Sequence, residues 1–435
     1  MKKNVSLSGL QVILIILIAS LVGYFYGTNK VSLQWKKYSP VVSVKPATPP
    51  AGQILDMSVF FTVLDKINTE YYDKTKINPK KMLYGAITGM LSSLDDPYTS
   101  FFPPKQNSDF KTQLAGEFSG IGAELSLSPD NKIMVVSPLD GSPAEKAGIK
   151  TGDIIVRVNN EDMSGWTVAQ AVDKIRGPKG SSVTLGVQHA KTTQITDITI
   201  VRNTITIKSV KGWVKKVACS NNSCEEKTDC ANCASVAYMR LSQFGDKTND
   251  EWLELVNSLF PQIKKENNFK GIILDVRNNP GGYLNDAVFI ASEFLKDGVV
   301  VTQEDGVGSK ENLSVSRKGL LTDIPVVVLV NKGSASASEI VAGALRERIN
   351  TKLIGEKTFG KGTVQQALDV DGGASLHYSI AKWLTPNGTW VNKTGLEPDV
   401  KVEFDATKSA DPSNLPAGRQ DFDNQLQEAI KELVK

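Results

Sequence analysis

Histidine is nearly missing from this chain, with His189 and His377 the only two among 435 residues. A Ser-His-Asp triad would have to rest on one of them. Cysteine is scarce as well, and all four lie within one short stretch between positions 219 and 233. An excess of charge of one sign is also lacking, because 50 basic and 47 acidic side chains are interleaved along the chain and leave +3. That balance argues against the dense basic face of a nucleic-acid binder. What remains is an ordinary globular composition, 40% hydrophobic and long enough for two or three domains.

Only one long apolar run occurs, at residues 10–26, broken by Gln11, Ser20 and Gly23. It follows Lys2 and Lys3 and ends in Tyr24, Phe25 and Tyr26, aromatics suited to a membrane interface, where a cleaved signal peptide would show a small-x-small site. The expectation is an uncleaved transmembrane signal anchor within residues 1–37, with a short cytoplasmic stub and the body outside; a cleaved signal peptide is the alternative. Residues 38–55 are Pro-rich and almost uncharged, which suits a stiff extended linker. Residues 56–105 read as a helical unit. Phe60, Val63, Leu64, Ile67 and Tyr71 recur at helical spacing, and a second helix opens at Asn78 and Pro79 to bury Leu83, Ala86, Ile87, Met90 and Leu94.

Residues 106–205 change to short strands, Gly-rich turns and one helix carrying Val168, Ala171, Val172 and Ile175, stopped by Gly177-Pro178. Gly120-Ile121-Gly122-Ala123 would present successive backbone N–H groups, a nest for a chain-terminal carboxylate. With "AGIKTGDIIVRVN" further on, the segment resembles a PDZ domain. Residues 206–405 alternate strands and helices. The apolar runs at 271–276 and 324–330, a helix near 337–348 and a short strand at 352–355 imply a parallel sheet covered on both faces. A last amphipathic helix spans 422–434, with Leu426, Ala429, Ile430 and Leu433 on one face.

The chemistry points to the end of the second apolar strand. There "NKGSASASEI" sets Ser334, Ser336 and Ser338 at alternate positions before the helix, where unpaired N–H groups and the helix dipole favour negative charge. A plain helix cap is the competing reading for any one of them. Histidine is a poor candidate for the base. His189 falls in the PDZ-like region, and His377, in "ASLHYSI", has no acidic residue beside it and reads as a surface strand residue. A lysine serves if burial lowers its pKa from about 10.4 toward neutrality. Lys361, between Gly360 and Gly362, is the candidate, with Gln365 placed to hold its amine.

Taken together, "LDVRNNPGG", "NKGSASASEI", "GEKTFGKGTVQ", "GMLSSLDDPYTSFF" and "TPNGTWVNKTGLEPDV" resemble the C-terminal processing peptidases of the S41 serine peptidase family, from about Phe60 to the end of the chain. The resemblance implies an α/β fold, a ClpP/crotonase-like peptidase core at 206–405 with an inserted PDZ domain, and a C-terminal linker and helix at 406–435. It implies Ser336 as nucleophile, Lys361 as general base and Gln365 as the residue orienting it. The oxyanion hole falls to the backbone N–H of Ala337 and of Gly281 or Gly282, a choice left open. It also implies a PDZ domain that binds substrate tails through Gly120, Ile121, Gly122 and Ala123, and Arg176 as the residue coupling that domain to the active site. No cofactor is expected, and no metal takes part in the chemistry. Proteins with exposed C-terminal tails are the expected substrates, in the cell envelope of a bacterium, with room for a homo-oligomer and an activating partner protein. The rival class is an inactive scaffold whose PDZ domain only tethers tails.

One segment departs from the family. Within an insert at 213–235, Cys219, Cys224, Cys230 and Cys233 follow C-x4-C-x5-C-x2-C. Two disulfides, in any of three connectivities, compete with a structural zinc held by four thiolates and with free thiols.

Overall fold

The structure is a computed structural model that describes residues 20, 31–36, 39–44, 56–128, 130–139, 141–189, 192–219, 224–227, 230, 233–405 and 423–435. The chain divides into two compact units, Met1–Met82 and Leu83–Lys435. In the first, β1 (Val31–Lys36) pairs antiparallel with β2 (Ser39–Val44), so part of the stretch expected as a linker forms a strand instead. α1 (Ser58–Glu70) follows. The apolar run 10–26, expected to anchor the chain, lies outside the described residues apart from Ser20. Among the described residues no helix is long and apolar enough to cross a membrane.

The helices expected at 56–105 are present, but their apolar faces are not covered as expected. α1 buries none of its residues, and Phe60 and Val63 are exposed. In α2 (Pro79–Ser92) only Leu91 is fully buried, while Leu83, Met90 and the following Leu94 face solvent. The helical periodicity is present, but nothing among the described residues packs on that side. The inner edge of α2, with Tyr84, Ile87 and Leu91, packs on Phe101 of β3 (Ser100–Phe102).

α3 (Pro104–Leu114) leads through Gly116 into β4 (Glu117–Gly120) and the next domain. There β5 (Ala123–Leu127), β6 (Ile133–Pro138), β7 (Ile154–Val158), β9 (Ser182–Gln188) and β10 (Ile195–Val201) form a sheet in the order β10-β9-β7-β6-β5, with β8 (Glu161–Asp162) beside β7. α4 (Pro143–Lys146) and α5 (Val168–Ile175) complete it. α5 starts on a reciprocal cap between Thr167 and Gln170 and buries Ala171 and Ile175 against Val135, Ile155 and Leu185. β11 (Asn203–Thr206) returns to pair with β4.

The remaining elements are β12 (Val210–Cys219), β13 (Cys224–Glu226), β14 (Ala234–Leu241), α6 (Thr248–Lys265), β15 (Phe269–Asp275), α7 (Leu284–Ala291), β16 (Val299–Asp305), β17 (Lys310–Ser314), β18 (Val326–Val330), α8 (Ala337–Ile349), β19 (Lys352–Gly355), β20 (Thr363–Val370), β21 (Ala374–Leu384), β22 (Val400–Lys401) and α9 (Asn424–Val434). The main sheet runs β13-β12-β14-β15-β18-β19-β22, parallel from β14 onward. Its central strands are apolar at consecutive positions because both faces are covered. Ile272, Leu274, Val328 and Val330 pack under α6, α7 and α8, whereas Ile273, Val327 and Leu329 pack against Leu426, Ala429 and Ile430 of α9. Each large aliphatic side chain buried there contributes about 1.5–3 kcal/mol. A second sheet, β17-β16-β21-β20, carries β3 on β21 and faces the C-terminal end of β18.

The cysteine-rich insert is closed by two disulfides, Cys219–Cys224 and Cys230–Cys233. The zinc alternative, which needs all four thiolates on one ion, is not what the structure holds. The insert docks on α9 through a reciprocal pair, in which Cys224 N–H donates to Gln427 Oε1 at 2.8 Å and Gln427 Nε2 donates to the Cys224 carbonyl at 3.0 Å.

Candidate active site

Strand β18 ends at Val330, and the loop beyond it is bolted to the loop beyond the neighbouring β15. Ser334 Oγ donates to the Val276 carbonyl at 2.8 Å, and Ser338 Oγ donates to the Asn279 carbonyl at 2.9 Å. Both residues are fully buried. The middle serine is different. Ser336 is half-buried, has φ 55° and ψ −115°, and faces a cavity of about 540 Å³. Such a backbone is costly for a residue with a Cβ and is held only where its surroundings over-determine it.

The clamp is Glu339, in the first turn of α8. Its fully buried carboxylate accepts Ser336 N–H at 2.9 Å, Lys361 N–H at 2.9 Å, Gly360 N–H at 2.7 Å and Thr358 Oγ1–H at 2.6 Å. One side chain thereby fixes the backbone of Ser336 and of Lys361 together. Sequence reading passed over Glu339, although its place three residues after Ser336 is the spacing of a capping box.

Gly281 lies against Ser336, and Gly282 lines the same cavity. A Cβ on Gly281 would stand 2.8 Å from Ser336 Cβ, and one on Gly282 would stand 1.7 Å from the Phe244 carbonyl oxygen. Both have positive φ, 99° and 142°. Their N–H groups are not equivalent. Gly281 N–H donates to Asn279 Oδ1 at 2.9 Å, whereas those of Gly282 and Ala337 have no partner among the described residues. Behind this loop Arg277 is buried between Asp275 and Asp423, with Nη2 at 2.6 Å and 2.7 Å from their carboxylates. Burial alone would raise the Asp275 carboxyl, but Arg277 and Arg240 hold it well below the usual carboxylate range.

Lys361 follows β19 and precedes β20, in a turn held by Trp383 Nε1–H and Trp390 Nε1–H on the carbonyls of Lys361 and Gly362, each at 2.8 Å. Its Nζ lies 5.2 Å from the Tyr98 ring centroid, and it has no ion-pair partner among the described residues. Burial pushes the Lys361 ammonium below its ordinary pKa, against the opposing pull of Asp96 and Glu339. Gln365 Nε2 donates to Thr363 Oγ1 at 2.6 Å and Ser379 Oγ at 3.3 Å, and Oε1 has no partner among the described residues. Ser336, Lys361, Gln365, Gly281 and Gly282 all line the one cavity. Tyr98, contributed by the "DDPYTSFF" segment, was not singled out from the sequence.

The PDZ-region residues lie elsewhere, in the preceding domain. Ile121 and Gly122 give their carbonyls to Ala144 and Leu139, and their N–H groups have no partner among the described residues. Arg176 caps α5 and stacks its guanidinium 5.0 Å from the Phe118 ring centroid in β4. His377 is not the surface histidine expected; it is buried and lines the cavity.

A half-buried serine at a strand end and a lysine whose charge is disfavoured thus line one cavity, an arrangement suited to a serine hydrolase. Three family models match: peptidase family S41 over residues 235–402, the PDZ domain over 111–188, and the activating protease CtpB N-terminal domain over 19–105. The carboxy-terminal processing protease CtpA of Bacillus subtilis is 40% identical over 78% of this chain and 67% of its own length. CtpB of the same organism is 37% identical over 90% and 77%. A solved chain from Bacteroides fragilis shares the fold at TM-score 0.54 and 16% identity, over 89% of this chain and 98% of that one. The photosystem II D1 C-terminal processing protease matches at TM-score 0.48 and 29% identity, over 79% and 86%. The chain belongs to the carboxy-terminal processing proteases of peptidase family S41, and it is a serine-type peptidase with a PDZ domain.

Proposed function

We propose that the protein cleaves other proteins near their C-termini with a Ser336–Lys361 dyad. Neutral Lys361 takes the proton of Ser336 Oγ as it attacks the scissile carbonyl, returns it to the leaving amine, and then activates water against the acyl-enzyme. Gln365 Oε1 orients the amine. The N–H groups of Gly282 and Ala337 receive the oxyanion, and the occupied N–H of Gly281 favours Gly282 in that role. The observation that carries this reading is Glu339, which ties the backbone of Ser336 and Lys361 to one buried carboxylate.

The N–H groups of Ile121 and Gly122, unpartnered among the described residues, suit a substrate's terminal carboxylate. The segment from α3, which lines the cavity, through β4 to Gly120 connects that nest to the active site, and Arg176 on Phe118 grips it midway. Tail binding there gates the cavity. The two disulfides favour an oxidising compartment outside the cytoplasm, reached through an anchor at residues 10–26. The exposed apolar faces of α1 and α2 favour self-association. The test is cleavage of a folded protein bearing an apolar C-terminal tail by wild type, Ser336→Ala and Lys361→Ala. Cutting by wild type alone supports the dyad; cutting by either variant at the wild-type rate refutes it, and tail binding without cutting by wild type makes the protein a scaffold.

A further inference from the structure

The active-site cavity extends beyond the dyad along one face of β20 and β21. Gln365, Ala367 and Asp369 line it from β20, and His377 lines it from β21. His377 is the cross-strand partner of Ala367, as Ser379 is of Gln365. His377 therefore stands one strand repeat, about 7 Å, past the Ser379 hydroxyl that anchors Gln365. From the opposite side come Phe102 and Phe110, whose ring centroids are 4.3 Å and 4.8 Å from that of His377.

The hydrogen bonds around His377 settle its tautomer. Asn107 Nδ2 donates to Asp369 Oδ1 at 3.3 Å and to the Gly373 carbonyl at 3.1 Å, so Asn107 Oδ1 is the acceptor on its other side. Ser375 Oγ donates to that oxygen at 2.9 Å. The serine has then spent its one proton, and it must accept at 3.0 Å from His377 Nε2–H. Nδ1 is left as a lone-pair acceptor with no partner among the described residues, on a side chain only 8% exposed. That nitrogen keeps some solvent access, so its lone pair is open to a donor from the cavity that His377 lines.

We propose that His377, Phe102 and Phe110 form a specificity subsite for a substrate aromatic side chain that carries a hydrogen-bond donor, a tyrosine or tryptophan a few residues from the scissile bond. The ring stacks among the two phenylalanines and its O–H or N–H donates to His377 Nδ1. This inference rests on the peptidase reading of the cavity. It assigns His377 to specificity, not to proton transfer with Ser336.

The test uses internally quenched peptides in which tyrosine and phenylalanine are exchanged at each position flanking the cut, with wild type for cleavage and Ser336→Ala for binding. At one position tyrosine is expected to exceed phenylalanine about five- to tenfold in kcat/KM and in affinity, the worth of one such bond. His377→Phe brings the ratio to about one, and His377→Asn, whose amide oxygen takes the place of Nδ1, retains part of it. The wild-type ratio also falls on acidification, because protonated His377 has no lone pair. Burial, with Lys361 and Lys111 nearby and Asp369 opposing, sets that fall below the ordinary imidazole value of about 6.5. Equal binding and equal cleavage at every position overturn the subsite, as does an unchanged ratio in His377→Phe or at acid pH. The binding arm does not depend on turnover, so peptides that bind with the preference but are never cut count against the peptidase reading alone.

Discussion

Glu339 and Ser336 are joined carboxylate to backbone: Glu339 Oε2 accepts the serine N–H at 2.9 Å and holds Ser336 at its positive φ. The same oxygen accepts the N–H of Lys361. Glu339→Gln replaces one acceptor oxygen with an N–H₂ group that faces donors. The expected result is a loss of about a hundredfold in kcat with little change in KM, because the two reacting groups lose registration while the substrate cleft stays. Steady-state kinetics on protein shown to be folded by circular dichroism checks this.

Gly281→Ala places a methyl group 2.8 Å from both Ser336 Cβ and the Ala335 carbonyl oxygen, on a backbone with φ 99°. The loop has to shift, and the Gly282 N–H shifts with it. Cleavage should fall by about 10²–10³, the usual cost of losing one oxyanion donor. Binding of a tail peptide to the PDZ domain, measured by fluorescence anisotropy, should be unchanged.

The lowered pKa of Lys361 gives a pH profile of defined sign. The neutral amine is the active form, so kcat/KM rises with pH through the folded-state pKa of Lys361, below its ordinary value of about 10.4, and levels off above it. Lys361→Arg should be inactive at every pH, since a guanidinium stays protonated. Stability follows the same group. Between the folded value and about 10.4 the unfolded chain holds the proton more readily, so wild-type stability gains with rising pH in that window. Lys361→Met lacks that dependence, and its Tm at neutral pH should exceed the wild-type value.

Much of this was legible in the sequence, and the parts that were not share a cause. The consecutive apolar residues of β15 and β18 announce a doubly covered sheet, and alternate serines before a helix announce the site. Ser334, Ser336 and Ser338 could not be told apart by spacing; which hydroxyls meet the carbonyls of Val276 and Asn279 is a matter of how two loops dock. Gly281 and Gly282 could not be ranked for the same reason; that Asn279 occupies the N–H of one of them depends on the fold of the loop. His377 looked like a surface residue because its strand alternates, yet the covering rings come from Phe102 and Phe110, more than 260 positions earlier. The apolar faces of α1 and α2 were read as buried because periodicity records amphipathicity, not what covers it.

Arg277 and Asp423 connect the loop after β15 to the start of α9. Asp423→Ala leaves a buried guanidinium with half of its carboxylate partners, and should cost about 3 kcal/mol or more. Urea denaturation gives the loss directly. The two disulfides predict no free thiol in denatured, unreduced protein and four after reduction, by thiol titration.

The most direct test of the central claim is to stop the reaction of wild-type protein with an acylating substrate by acid and map the adduct by mass spectrometry. One acyl group is expected, on Ser336, and none in Lys361→Ala. An adduct on Ser334, Ser338 or any other residue, or an undiminished adduct in Lys361→Ala, would contradict that claim.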